Sequence, residues 1–275
     1  MKICIVTDME GLAGVDDWEQ CYATHDEDPA YAHGLAQLAA DTNATVAGCF
    51  DAGATEVVVW DGHGRNRQLA FTRVVLDPRA SPRRLEHDRP IRLSGLDEAT
   101  AGAVMVGQHA MAGTLGGFLD HTQCPKEICR YCINGEEHGE LSQFALHAGA
   151  FGVPLLHVSG DEALCAEAHR LFPWVAATPT KRGTGWATCE LYPVAEVRAR
   201  LRRDVAQAIG RRASAQVWRL PGPIEVTVEY AWSALADRLA GLPGVQRRHA
   251  RSVSWTIPDP RYIYNWPAPG WHPAS

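Results

Sequence analysis

Short apolar runs and helical periodicity alternate along most of the chain. KICIVT at 2–7 reads as a buried strand rich in β-branched residues, and TEVVVW at 55–60, VMVG at 104–107 and VPLLHVS at 153–159 read the same way. Between the first two lies a helical stretch from 29 to about 50. Pro29 can open it, Leu35, Leu38, Thr42, Val46 and Cys49 recur at helical spacing, and Gly53 follows its end. Further helices are expected at about 138–149, 160–171 and 193–212. Strand, long crossover, strand is the repeating unit of a parallel sheet. After PGP at 221–223 the character changes. IEVTVEY alternates as a half-exposed strand, and a short helix around 231–240 and a strand near 250–257 follow. The pattern predicts an α/β chain: a mostly parallel sheet flanked by helices, with a second, smaller α/β unit at the C-terminus. The expected division is 1–190 and 191–275. The Pro- and aromatic-rich tail PDPRYIYNWPAPGWHPAS fits neither a regular helix nor a central strand. It is expected to wrap over its own chain or to reach a neighbour.

The 275 residues, 46% apolar and 21% charged, suffice for a substantial core. A net charge of -6 argues against nucleic acid or an anionic membrane as partner. No apolar run approaches a membrane span, and the opening MKICIV is too short in apolar residues for a signal peptide. The expected compartment is the cytoplasm. Eight cysteines fit that compartment as reduced thiols. Cys124, Cys129 and Cys132 cluster, but no fourth ligand sits at zinc-knuckle spacing. Of the twelve histidines, His25, His87 and His272 lie in polar or Pro-rich surroundings and are expected at the surface. His33, His147, His157 and His169 fall inside helical or strand patterns, where packing or solvent accounts for them.

Candidate chemistry gathers at the strand ends. Asp8 and Glu10 follow the first strand one residue apart, and Gly11 and Gly14 let the chain turn away. If extended geometry persists through Met9, both carboxylates face one point. Two carboxylates so placed repel unless a cation or proton lies between them. The second strand ends in DGHG, placing His63 there, and the third ends in GQH, placing His109. The C-terminal ends of adjacent parallel strands are where such sheets build sites. Downstream, LDHT sets Asp120 beside His121, and NGEEHGE supplies Glu136, Glu137, His138 and Glu140. The helix dipole alone accounts for acids at a helix start. Carboxylate and imidazole donors without thiolate suit zinc, manganese or cobalt. Their number exceeds one tetrahedral site, which points to two ions sharing a carboxylate and to hydrolysis.

DMEGLAG at 8–14, DGHGRN at 61–66, GQHAMAGT at 107–114, LDHT at 119–122 and NGEEHGE at 134–140 together resemble the motifs of the D-aminopeptidase family of metallopeptidases, M55. Their order and spacing match, and five motifs in order are specific. The resemblance implies two zinc ions per subunit, held by Asp8, Glu10, His63, His109 and a glutamate of NGEEHGE. That glutamate is read as Glu140, because the family's acid follows a glycine, with Glu137 as runner-up. It implies His121 as the catalytic residue, short peptides with N-terminal D-residues as substrates, and a homo-oligomeric ring, possibly a decamer. His138 departs from the family pattern and reads as a bystander. Three other readings stay open: an L-peptide or specialised amide as substrate, a Mg²⁺-dependent phosphohydrolase, and an assembly that holds metal without turnover. The phosphohydrolase wants Asp where Glu10 stands and leaves the histidines unemployed.

Overall fold

The computed structural model describes residues 1–22, 28–63, 70–83 and 93–267. The expected surface positions of His25, His87 and His272, the GRN of DGHGRN and the last eight residues of the tail lie outside them.

A seven-stranded sheet organises the chain. Strand β1 (Lys2–Thr7) lies at its centre, with β2 (Glu56–Asp61) on one side and β4 (Thr100–Gln108) on the other, all parallel. β3 (Ala80–Arg83) extends the β2 side; β7 (Leu155–Asp161) and β8 (Ala176–Gly185) extend the β4 side in parallel, and β9 (Thr188–Leu191) closes that edge antiparallel. The order β3-β2-β1-β4-β7-β8-β9 reverses direction between β1 and β4. In an open α/β sheet such a switch point leaves a crevice at the strands' carboxyl ends.

Strands β1, β2 and β4 are apolar on both faces, as strands covered by helices on both sides must be. On one face α1 (Pro29–Asp51) and α4 (Val194–Gly210) pack together and cover Ile3, Ile5, Val57, Val59, Val104 and Val106. Asp28 caps α1 through the Ala30 amide, and Pro29 opens it, as expected from its sequence. On the other face, α2 (Glu140–Ala150) and α3 (Glu162–Leu171) cover Cys4, Val6, Val58, Trp60, Ala103 and Met105.

A second, five-stranded antiparallel sheet has the order β11-β12-β10-β5-β6. It takes β5 (Ile128–Ile133) and β6 (Glu136–Glu137) from the stretch between β4 and α2, and β10 (Ile224–Tyr230), β11 (Val245–His249) and β12 (Ser252–Ile257) from the C-terminal part. Helix α5 (Ser233–Ala240) packs on it. The segments 1–190 and 191–275 therefore interleave: the first lends two strands to the smaller sheet, and the second lends α4 to the larger one. As far as Pro267 the tail wraps over its own chain. Ile263 and Asn265 are buried, and the Trp266 ring lies 5.6 Å from Tyr131 and 5.4 Å from Trp255. Among the described residues, no helix is long and apolar enough to cross a membrane.

Candidate metal centre

Three loops leave the carboxyl ends of β1, β2 and β4, and their backbones are tied together. The Asp8 amide donates to the Val106 carbonyl at 2.8 Å, Gly11 to Gly107 at 2.8 Å, and Gly62 to Thr7 at 2.9 Å. Gly11 is required by this approach: a Cβ there would meet the Gln108 carbonyl oxygen at 1.9 Å. Gly107 sits at φ +71°, where a Cβ would also press on the Asp8 carbonyl.

β1 ends at Thr7, so extended geometry does not carry through Met9 as the spacing predicted. A bend brings the two acids together instead. The Met9 amide donates to Asp8 Oδ1 at 2.9 Å and to Glu10 Oε2 at 3.3 Å. Both carboxylates then face one imidazole nitrogen: His63 Nδ1 lies 2.9 Å from Asp8 Oδ1 and 3.5 Å from Glu10 Oε2. The other oxygen of Asp8 faces a different ring, with His109 Nε2 at 3.6 Å from Oδ2. Glu140, the first residue of α2, brings Oε1 to 3.6 Å from the same nitrogen and to 3.8 Å from His121 Nε2. The His109 and His121 rings stack at 3.8 Å. All six residues singled out in the sequence thus meet in one buried cluster.

Each ring is oriented by a backbone carbonyl, which can only accept. His63 Nε2–H donates to Cys21 O at 3.0 Å, His109 Nδ1–H to Ala110 O at 2.9 Å and His121 Nδ1–H to Leu119 O at 2.8 Å. This leaves His63 Nδ1, His109 Nε2 and His121 Nε2 facing the carboxylates, the arrangement in which metal-ligating histidines are held.

The electrostatics follow from burial and crowding. Burial, then Glu10, push Asp8 up to about 7. Burial would also raise Glu10, but His63 and the neighbouring imidazoles hold it well below the usual carboxylate range. Burial works against a charge on His63 and His109, yet the acids raise both well above an ordinary imidazole, Glu10 and Asp8 acting on His63 and Glu140 first on His109. Glu140 is held down to about 2 against its burial, chiefly by His109. His121 is the exception: burial and then His109 lower it.

The donors fit divalent cations. His109 Nε2 is buried with no hydrogen-bond partner, although two carboxylate oxygens lie close by. Three sets of donors have ligand atoms within 4.8 Å of one another: Asp8, Glu10 and His63; Asp8, His109 and Glu140; and Glu10, His109 and His121. Asp8 is common to the first two, offering one oxygen to each. Glu137 is exposed on β6 and pairs with Arg130 at 2.7 Å. His138 is buried away from the cluster, 3.0 Å from Ser142 Oγ and against Trp218. Cys124, Cys129 and Cys132 are free thiols and join no metal-holding set among the described residues.

Two residues of the site were not legible in the sequence. The Tyr22 hydroxyl donates to Glu10 Oε1 and lies 3.4 Å from His121 Nε2. Its ring stacks on Trp18 at 3.9 Å, just past a one-turn helix at Trp18–Gln20. Lys181 on β8 is wholly buried, and its ammonium donates to the carbonyls of Glu10 and Val15. It anchors the loop carrying the two acids, and burial lowers its pKa. The cluster lines a cavity of about 480 Å³.

Comparison with known proteins agrees with this geometry. The family model for the D-aminopeptidases, peptidase family M55, matches residues 1–268. A D-aminopeptidase of Bacillus subtilis (strain 168) is 27% identical over 246 residues, 90% of this chain and 87% of that protein. Among solved structures, the Zn-dependent D-aminopeptidase DppA from Bacillus subtilis, a self-compartmentalizing protease, is similar with a TM-score of 0.87 and 26% identity, over 96% of this chain and 94% of that one. The chain belongs to peptidase family M55, the D-aminopeptidases, and is a peptide hydrolase of that family.

Proposed function

We propose that this protein is a zinc-dependent aminopeptidase that releases N-terminal D-amino acids from short peptides at a two-zinc site. The observation that carries the reading is the division of Asp8, one oxygen toward His63 and the other toward His109, with Glu10 and Glu140 completing the two donor sets. Asp8 is the shared ligand; Glu10 and His63 serve one ion, His109 and Glu140 the other. When bound, zinc polarises the scissile carbonyl and lowers the pKa of water.

The chain's own residues supply the rest. Nδ1–H of His121 is committed to the Leu119 carbonyl, so Nε2 is the atom that exchanges protons. Its lowered pKa keeps it neutral near pH 7, able to accept a proton and return it to the leaving amine. The carboxylates of Asp8, Glu10 and Glu140 offer the peptide's free amino group an anionic partner, which selects exopeptidase over endopeptidase action. A second role for His121 has its own support: its place beside Glu10 and His109 in the third donor set makes it a possible metal ligand. Zinc content of the His121→Ala variant separates the two roles.

The similarity to a self-compartmentalizing protease supports a homo-oligomer, and eight free thiols support a reducing, cytoplasmic setting. The test of function is a matched pair of rates. Zinc-loaded protein receives D-Ala-D-Ala and L-Ala-L-Ala, each with a chelator control. Chelator-sensitive release from the D-peptide alone is expected. Preference for the L-peptide would keep the metal site and overturn the substrate; release from neither would overturn the short-peptide reading.

A further inference from the structure

We infer that the N-terminal residue removed by this enzyme carries a large apolar side chain, received by a closed apolar end of the cavity beneath the metal centre. The inference rests on the aminopeptidase reading and specifies its substrate class. Val6 of β1 pairs in register with Trp60 of β2 on one side and Met105 of β4 on the other. The three form a row across the sheet and share one apolar cluster. All three line the cavity, together with Leu93 and Phe144, and all five are buried. Val6 precedes Asp8 by two residues, Trp60 precedes His63 by three, and Met105 precedes His109 by four. At ~3.3 Å per strand residue, the row sits about 7 Å or more below the carboxylates along the strands. The loop before β5 contributes exposed Gln123 and Lys126 to the same cavity. One end is therefore a dead end of apolar walls, and another is polar and open.

An N-terminal residue has no chain before it. Its side chain is the part that can fill a dead end, while the rest of the peptide leaves through the open side. A cavity of about 480 Å³ is far larger than the methyl group of alanine needs. A small side chain would leave Trp60, Met105 and Phe144 without contacts that a large one provides. Each methylene placed in such a pocket is worth roughly 10- to 200-fold in kcat/KM.

The experiment uses the zinc-loaded full chain and the dipeptides D-Ala-Gly, D-Leu-Gly and D-Phe-Gly, with their L counterparts. In parallel, calorimetry measures binding of the alanine, leucine and phenylalanine amides of both hands. Expected are kcat/KM values for D-Leu-Gly and D-Phe-Gly at least about tenfold above D-Ala-Gly. In Leu93→Trp, which fills the closed end, the ratio of D-Phe-Gly to D-Ala-Gly falls by a similar factor. Rates that are flat or fall with side-chain size in the wild type would overturn the inference and leave the aminopeptidase reading standing. A rise with size in the L series alone would keep the pocket and overturn the chirality. If no peptide is hydrolysed, the aminopeptidase reading fails, and the amide affinities decide the pocket: a rise with size sustains it, and equal affinities refute it.

Discussion

Tyr22 is the residue whose removal tests the metal centre most sharply. Its hydroxyl donates to Glu10 Oε1, while the other oxygen, Oε2, faces His63 Nδ1 at 3.5 Å. Tyr22 thus occupies one Glu10 oxygen and leaves the other for a cation. The Tyr22→Phe change removes this donor and little else, because the ring remains stacked on Trp18 at 3.9 Å. Glu10 is fully buried, so no bulk water replaces the lost bond. A hydrogen bond to a charged group contributes about 1.5–3 kcal/mol. Loss of a residue that orients a metal ligand costs roughly 10- to 100-fold in affinity or activity, which is about 1.4–2.8 kcal/mol. The two routes agree. Tyr22→Phe is therefore expected to weaken zinc binding by at least about tenfold, read by competition against a chromophoric chelator at fixed pH. Peptide release at limiting zinc should fall in parallel and recover at saturating zinc. Zinc affinity within twofold of the wild type would refute the reasoning, since it would mean that the Tyr22 hydroxyl does not hold Glu10 for the metal.

Three further predictions follow from the same site and core. His121→Ala is expected to lose about 10²- to 10⁴-fold in turnover while keeping its full zinc content, the signature of proton transfer; loss of zinc, measured by elemental analysis, would make His121 a ligand instead. Glu140→Gln is expected to lose zinc and activity while Glu137→Gln keeps both, because Glu140 lies 3.6 Å from His109 Nε2 and Glu137 is exposed beside Arg130; metal content of the two variants side by side checks it. His147 and His157 are buried, and burial pushes each down to about 4 from an ordinary 6.5. The unfolded chain then binds protons that the folded one refuses, so their contribution is intact above pH 6.5 and lost as pH falls from 6.5 to about 4. Each accounts for about 3 kcal/mol between pH 7 and pH 4. Urea denaturation at the two pH values should therefore show a smaller acid loss in His157→Asn than in the wild type; equal losses would count against the burial argument.

The sequence by itself determined the strands, the main helices and the points where they end. Runs such as KICIVT and EVVVWD are apolar at every buried position, and Pro29, Gly53 and the PGP at 221–223 mark breaks, because burial and backbone freedom act locally on residue type. Asp8, Glu10, His63 and His109 were legible for the same reason: each follows an apolar run, and adjacent parallel strands bring their carboxyl ends together. The five-motif pattern brought in His121 and Glu140. What only the tertiary structure decided depends on distant pairings that no local periodicity encodes. The edge strands β8 and β9, with their Thr, Lys, Arg and Gly, carry too little apolar signal to read as strands, and Lys181 among them looks like a surface residue until the fold buries it under the Glu10 loop. β5 and β6 precede α2 in the chain yet join β10, 86 or more residues later, so the smaller sheet could not be drawn from segment order. Tyr22 sits in a short polar turn, and only the packing of that turn against β1 and β2 aims its hydroxyl at Glu10. Even the convergence of Asp8 and Glu10, anticipated from strand alternation, comes from a bend at Met9 whose amide both acids share. Residue type fixed which groups could bind a cation; chain reversal and loop-to-loop hydrogen bonds decided which atoms face one another, because those contacts exist only once distant segments pack.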